Sequence, residues 1–346
     1  MRLIVSWSDI GVPGLTRRLL LAVLATLAPA VAASPAGAAG HAIHFSQQRH
    51  NANVGIVDIY TTLGYENGVA AGTGMIVSSA GEVLTNNHVI RGATSFKVVD
   101  VTTHRTYPAS VVGYSVTRDV AVLQLSHAAG LHTIRVNRSA PVRIGQAVVA
   151  RGNAQGRGGA PKAAWGRVIA LHRQIVAKDD SGDSETLSNL IATNAPVEPG
   201  DSGGPLENRR NQAIGMVTAG STLSAVHRGF AIPIRQALNI ANMIENGKSS
   251  ATVHVGPTAF LGVVLQDASG GGAQVAQVVP GKAADVAGLT AGNVITSLNG
   301  TAITSSADVR RTVLLLVPGK AVPITWTDAT GQPQSGTITP TAGPPQ

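Results

Sequence analysis

The chain has 346 residues, enough for two domains at roughly 150 residues each. Hydrophobic residues make up 44%, charged residues 13% and aromatics 3%, with 40 Gly and 18 Pro, which excludes a disordered chain, a coiled coil or a charged helical bundle and favours a turn-rich β-protein. Cysteine is absent, so disulfides, thiolate-bound zinc, iron–sulfur clusters and thiol nucleophiles are excluded. The net charge of +8 arises from scattered residues such as Arg209-Arg210 and Arg310-Arg311, without a long run or interleaved aromatics, and reads as solvated basic surface.

Residues 1–38 have the composition of an export signal. Arg17-Arg18 precede an uncharged stretch from Leu19 to Ala33, and small-residue sites follow at Ala28-Pro29-Ala30 and Ala36-Gly37-Ala38. The apolar run falls short of the roughly 20 residues that span a bilayer, which favours a cleaved signal over a retained anchor. Thr16-Arg17-Arg18-Leu19-Leu20 also resembles a twin-arginine signal, so either export route remains open. Residues 39–53 form a polar leader whose His41, His44 and His50 are too irregularly spaced to define a metal site. No metal and no cofactor are expected.

From residue 54 onward, short apolar runs alternate with glycine turns. Gly55 to Tyr60, Thr73 to Val77, Ser95 to Val99, Ala147 to Ala150 and Ala213 to Val217 predict strands of a sandwich or barrel. Ile234, Ala237, Leu238, Ala241 and Ile244 instead share one helical face, with Gly247 as the stop. Residues 248–256 read as a linker, 257–342 as a second unit with strands and two helices, and 343–346 as a frayed tail.

Three segments carry chemistry: Thr85-Asn86-Asn87-His88-Val89, Arg118-Asp119-Val120-Ala121-Val122-Leu123 and Gly200-Asp201-Ser202-Gly203-Gly204-Pro205-Leu206. A serine hydroxyl is a poor nucleophile at neutral pH and needs a base and an acid that orients the base. His88 can take the Ser202 proton, and Asp119 can hold the imidazole in the useful tautomer. The glycines around Ser202 allow the tight turn in which the N–H groups of Gly200 and Ser202 converge on an oxyanion.

Residues 54–247 resemble a trypsin-like serine protease domain of the HtrA/DegP type, on those segments and on Gly229-Phe230-Ala231-Ile232-Pro233. The resemblance implies a mainly β fold, a trypsin-like double six-stranded β-barrel followed by a smaller α+β PDZ domain. It makes His88, Asp119 and Ser202 the triad and Gly200 and Ser202 the oxyanion donors. Thr218 would support the triad Asp. Substrate would meet Thr218, Ala219 and Gly220 and a pocket floored near Pro196 and walled by Phe230 and Ala231. No acidic residue stands at that floor, which points to apolar P1 side chains. Asp201 departs from the HtrA branch, which usually has Asn there, and no Ile-Val-Gly-Gly activation sequence occurs.

The C-terminal unit resembles a protease-associated PDZ domain through Ala259-Phe260-Leu261-Gly262-Val263 and Ala291-Gly292-Asn293-Val294-Ile295. The resemblance implies a carboxylate-binding loop at Phe260, Leu261, Gly262 and Val263. Val309, Val313 and Leu316, after a Ser306 N-cap, either line a peptide groove or belong to the core. The implied function is an exported, ATP-independent serine endopeptidase of misfolded or specific envelope proteins, secreted or associated with the cell envelope. Implied partners are unfolded or extended polypeptides, a C-terminal or internal peptide at the PDZ unit, and a homo-oligomer, with no nucleic acid. The alternatives are a peptide-binding, chaperone-like protein with a silent protease domain, and an esterase using the same triad.

Overall fold

Runs rich in Val, Ile and Thr between glycine turns pair as antiparallel strands, where branched side chains pack on a pleated surface. The computed structural model describes residues 4–6, 52–65, 68–178, 184–223 and 226–346. Of the expected export signal, only β1 (Ile4–Ser6) is described, lying parallel to Val176–Lys178. The rest of that segment, and the leader histidines His41, His44 and His50, lie outside the described residues.

The first barrel contains β2 (Ile56–Leu63), β3 (Gly68–Ile76), β4 (Glu82–Thr85), β5 (Ser95–Asp100), β6 (Thr106–Ser115) and β7 (Val120–Leu125). Their order is β6-β5-β2-β3-β4-β7, closed where β6 pairs β7. The second contains β8 (Ala147–Gly152), β9 (Lys162–Lys178), β10 (Ser184–Thr193), β11 (Pro205–Glu207), β12 (Ala213–Leu223) and β13 (Val226–Pro233). It runs β9-β10-β13-β12-β11-β8 and closes through β8 and β9. Between β4 and β5 stands α1 (Asn87–Ile90), a single helical turn.

The long helix is α2 (Ile234–Glu245). Its buried face is Ile234, Ala237, Ile240, Ala241 and Ile244, so Ile240 takes the place expected of the half-buried Leu238. This face joins Leu84, Val120 and Val122 of the first barrel to Met216, Phe230 and Ile232 of the second in one core. Gly247, at φ +67°, ends the helix and donates its N–H to the Ile244 carbonyl at 3.0 Å.

The third unit has its own core around Leu261, Val275, Ile295, Leu298 and Ile324. Its sheet runs β16 (Val263–Asp267), β17 (Ala273–Val278), β18 (Val294–Leu298), β20 (Val322–Thr327), β21 (Pro333–Ile338), and β19 (Thr301–Ala302) also pairs β18. The predicted helices are α3 (Ala283–Val286) and α4 (Ser306–Val313). The N-cap of α4 is Ser305, whose Oγ accepts the Asp308 N–H, and Ser306 is the first helical residue.

Two connecting segments are more ordered than expected. Within the expected linker, β14 (His254–Val255) adds to the first barrel beside β6. The expected frayed tail is docked: β22 (Thr341–Gly343) pairs β15 (Thr258–Phe260), and Pro344 and Pro345 are buried. A Pro-Pro step has no N–H to desolvate and little backbone freedom to lose, which makes such docking cheap.

Candidate active site

Elements of both barrels supply the site. His88 lies in α1, Asp119 in the turn entering β7, and Ser202 in the loop between β10 and β11. His88 Nδ1 is 2.9 Å from Asp119 Oδ2 and 3.0 Å from Oδ1. Asp119 is fully buried, its Oδ1 also accepts the His88 backbone N–H at 3.0 Å, and its carbonyl accepts the Asn86 amide at 2.8 Å. The Thr218 hydroxyl donates to Oδ2. The register of β12 against β13 slips between Val217 and Ala219, and Thr218 sits on that bulge. Bulges re-aim side chains in this way beside functional sites. Ser202 Oγ in turn donates to the Thr218 carbonyl at 3.3 Å.

The serine loop is gripped from the first barrel by a residue the motifs do not mark. Thr73 of β3 donates its hydroxyl to the Gly200 carbonyl at 2.7 Å, accepts the Asn153 N–H at 2.9 Å, and donates its own N–H to the Ser202 carbonyl at 2.8 Å. Gly200 and Gly203 adopt φ +93° and +86°. A Cβ on Gly200 would meet the Asn153 carbonyl oxygen at 2.2 Å, and one on Gly203 the Thr73 oxygen at 2.0 Å. Conformation and space both demand glycine there. The N–H groups of Gly200 and Ser202 donate to no group among the described residues.

Of the residues expected to shape a substrate pocket, Pro196 is not the one that lies against Gly220 and Gly229. Gly220 of β12 faces Gly229 of β13 across the pairing, and Ala219 faces Phe230. Pro196 is exposed, whereas Val197 is half-buried and reaches between the two glycines. A Cβ at Gly220 would stand 2.9 Å from Val197 Cγ2, and one at Gly229 would stand 3.0 Å from the same methyl. Thr218, Ala219, Phe230 and Ala231 are buried around it.

Residues 72–216 match the family described as trypsin-like peptidase domain, and residues 250–325 match the PDZ domain family. The serine protease PepD of Mycobacterium tuberculosis is 34% identical over 303 residues, 82% of this chain and 63% of PepD. The periplasmic serine endoprotease DegP of Escherichia coli K12 is 35% identical over 261 residues, 71% of this chain and 52% of DegP. A solved structure of a variant of the HtrA-type protease AlgW with a tripeptide superposes with a TM-score of 0.51 at 26% identity, over 87% of this chain and 98% of that one. The chain thus carries a trypsin-like peptidase domain followed by a PDZ domain and is similar to serine proteases of the HtrA type. It spans from about half to just under two-thirds of the length of these two curated relatives.

In the PDZ domain, β16 is an edge strand whose outer side pairs with nothing among the described residues. Leu261 is buried, Gly262 has φ +79°, and the N–H groups of both have no acceptor among the described residues. Val309, Val313 and Leu316 are buried in the core against Val263 and Leu265. Phe260 stacks on Tyr65, which follows β2, with ring centroids 4.9 Å apart.

Buried carboxyls surround the trypsin-like site, and no sequence pattern marks them. Arg91, just after α1, pairs with Glu185, whose carboxyl burial pushes up to about 7 while the guanidinium opposes that shift. Asp201 Oδ2 accepts the Glu198 N–H at 2.8 Å, but Oδ1 is buried without a partner among the described residues. Burial pushes Asp201 up to about 6, against the opposing Glu198 N–H. An unfolded aspartate titrates near 3.9, so the folded chain holds a proton the unfolded chain releases. Asp201 therefore stabilises the fold below about pH 4, and that contribution disappears as pH rises through about 6. Asp201→Asn, which stays neutral, is expected to raise Tm at pH 8 by up to the equivalent of about 3 kcal/mol and to leave it nearly unchanged at pH 4. Thermal melts of parent and variant at both pH values check this, and equal shifts at both would contradict it.

Proposed function

We propose that this chain is an exported serine endopeptidase acting on unfolded or extended polypeptides of the cell envelope. The observation that carries the reading is the unbroken link from His88 through Asp119 and Thr218 to Ser202 at the seam of the two barrels. With Nδ1 committed to Asp119, the role of base falls to Nε2 of His88. Ser202 Oγ attacks the scissile carbonyl carbon as its proton passes to His88 Nε2, and the N–H groups of Gly200 and Ser202 take up the oxyanion. The amide C–N bond then breaks as His88 returns the proton to the leaving amine. Water, deprotonated by the same imidazole, hydrolyses the acyl-enzyme.

The free edge of β16 and the unpaired N–H groups of Leu261 and Gly262 support capture of a peptide as an added strand, with a carboxylate at the loop. The similarity to DegP of Escherichia coli, a periplasmic serine endoprotease, supports export, as does the signal-like composition of residues 1–38. Among the described residues no helix is long and apolar enough to cross a membrane.

The pocket between Gly220 and Gly229, shortened by Val197, supports small apolar P1 side chains. Val197→Ala removes two methyl groups from it. On matched peptides, the kcat/KM ratio for P1 Leu over P1 Ala is expected to rise by roughly tenfold, the scale of one methylene in an apolar pocket. An unchanged ratio would remove Val197 from the pocket.

Cleavage of an unfolded, disulfide-free protein by the chain, beside its Ser202→Ala variant, tests the function itself. Cuts made by the parent alone bear it out. No cuts by either would favour a peptide-binding protein with a silent protease domain.

A further inference from the structure

We infer that the segment Pro344-Pro345-Gln346 is a positioning clamp on the helical turn that carries His88, an inference that rests on His88 being the catalytic base. A four-residue helix cannot hold its own orientation, because one turn fixes more dihedrals than its hydrogen bonds repay. Asn86, its N-cap, gives α1 no side-chain cap, and the first backbone bond closing the turn runs from Arg91 N–H to the Asn87 carbonyl at 3.0 Å. Its placement must come from outside. On one side Asp119 holds the His88 N–H and Nδ1. On the other side stands the tail.

The Gly92 N–H, just past the turn, donates to the Pro345 carbonyl at 2.9 Å. The side-chain amide of Asn87, fully buried, donates to the main-chain oxygen of Gln346 at 3.1 Å. The Gln346 N–H donates to the Tyr114 hydroxyl at 3.2 Å, and that hydroxyl lies 3.0 Å from Thr258 Oγ1. Main-chain groups of two consecutive tail residues thus bond both ends of the turn and the barrel wall behind it. Without the tail, two N–H donors at the catalytic turn would lose their acceptors, one of them fully buried, a cost that the turn would relieve by shifting. A displacement of about 1 Å at a catalytic group is enough to lower turnover by up to about 100-fold.

The tail reaches α1 from β22, and β22 is held only by pairing to β15 among the described residues. β15 runs directly into Leu261 and Gly262. The PDZ domain therefore holds the catalytic turn through a path of a few residues that begins at its own peptide-binding loop.

The test compares the full chain with a deletion of residues 344–346, Tyr114→Phe, Gln346→Ala and Ser202→Ala. It measures amide hydrogen exchange across residues 87–92, and kcat and KM on a peptide substrate. The deletion is expected to speed exchange at Gly92 and lower kcat about tenfold with KM within twofold. Tyr114→Phe, which keeps the ring and removes the acceptor for the Gln346 N–H together with the hydroxyl's contact to Thr258 Oγ1, should shift both readouts in the same direction by about threefold. Gln346→Ala keeps every main-chain contact and should match the parent. Should the deletion fail to fold, Tyr114→Phe decides alone. Unchanged exchange at Gly92, an unchanged kcat, or a loss confined to KM overturns the clamp while Ser202-dependent turnover stands. A parent without Ser202-dependent turnover overturns the catalytic reading first, and the positioning role with it.

Discussion

Ser202→Ala is expected to lower kcat on a peptide substrate by roughly 10⁶-fold while leaving KM within a few-fold, because the members of a triad act as a unit and losing the nucleophile costs about as much as losing all three. The residual rate, about 10³–10⁴-fold over water, would come from the oxyanion donors Gly200 and Ser202 and from substrate binding, neither of which needs the hydroxyl. Stability should barely change. The hydroxyl makes one bond to the described residues, a long one of 3.3 Å to the Thr218 carbonyl, while the backbone of Ser202 stays fixed by Thr73. Steady-state kinetics and a thermal melt on the same preparation separate the two effects. A loss smaller than about tenfold would mean that another group attacks the substrate, since no partial role for a nucleophile gives so mild a penalty.

The parts of this molecule legible in its sequence are those fixed by neighbours along the chain. The heptapeptide from Gly200 to Leu206, the runs that become β2, β5, β8 and β12, and the stripe on α2 all follow from local composition. The Ser305 cap was within reach too: Ser305-Ser306-Ala307-Asp308 has the serine-to-acid spacing of a capping box, which marks Ser305 rather than Ser306. What the sequence hides depends on register between distant segments. Val197 rather than Pro196 lies against Gly220 and Gly229, two glycines that face each other only through the pairing of β12 with β13. Thr73 grips Gly200 across 127 positions, and Gln346 meets Asn87 across 259. A terminal Pro-Pro-Gln reads as fray until the surface that receives it is known. The raised carboxyls of Glu185 and Asp201 are likewise products of burial, which no motif announces.

Asp119→Asn is expected to cost about 10⁴-fold in kcat with KM almost unchanged, the scale of an imidazole held in the wrong tautomer. The local hydrogen bonds dictate which tautomer forms. Asp119 Oδ1 accepts the His88 backbone N–H, so an asparagine must keep its carbonyl oxygen there and place its NH₂ where Oδ2 stood. That position faces His88 Nδ1 and the Thr218 hydroxyl. An NH₂ can only donate, so Nδ1 must accept and the ring proton moves to Nε2, the atom that has to take the Ser202 proton. The Thr218 hydroxyl can rotate to accept as well, so the site loses no packing. Asp119 also holds φ +51°, a left-handed conformation that asparagine tolerates and most residues do not. The backbone should therefore stay in place, and Tm should move little while turnover collapses. Nitrogen NMR of the His88 ring reads the tautomer directly: protonated Nδ1 in the parent, protonated Nε2 in the variant. A variant that retains more than about a tenth of the parental kcat would reduce Asp119 to an anchor for α1. The same retention with the tautomer reversed would be harder still to reconcile with His88 as the base, because its accepting nitrogen would then be occupied.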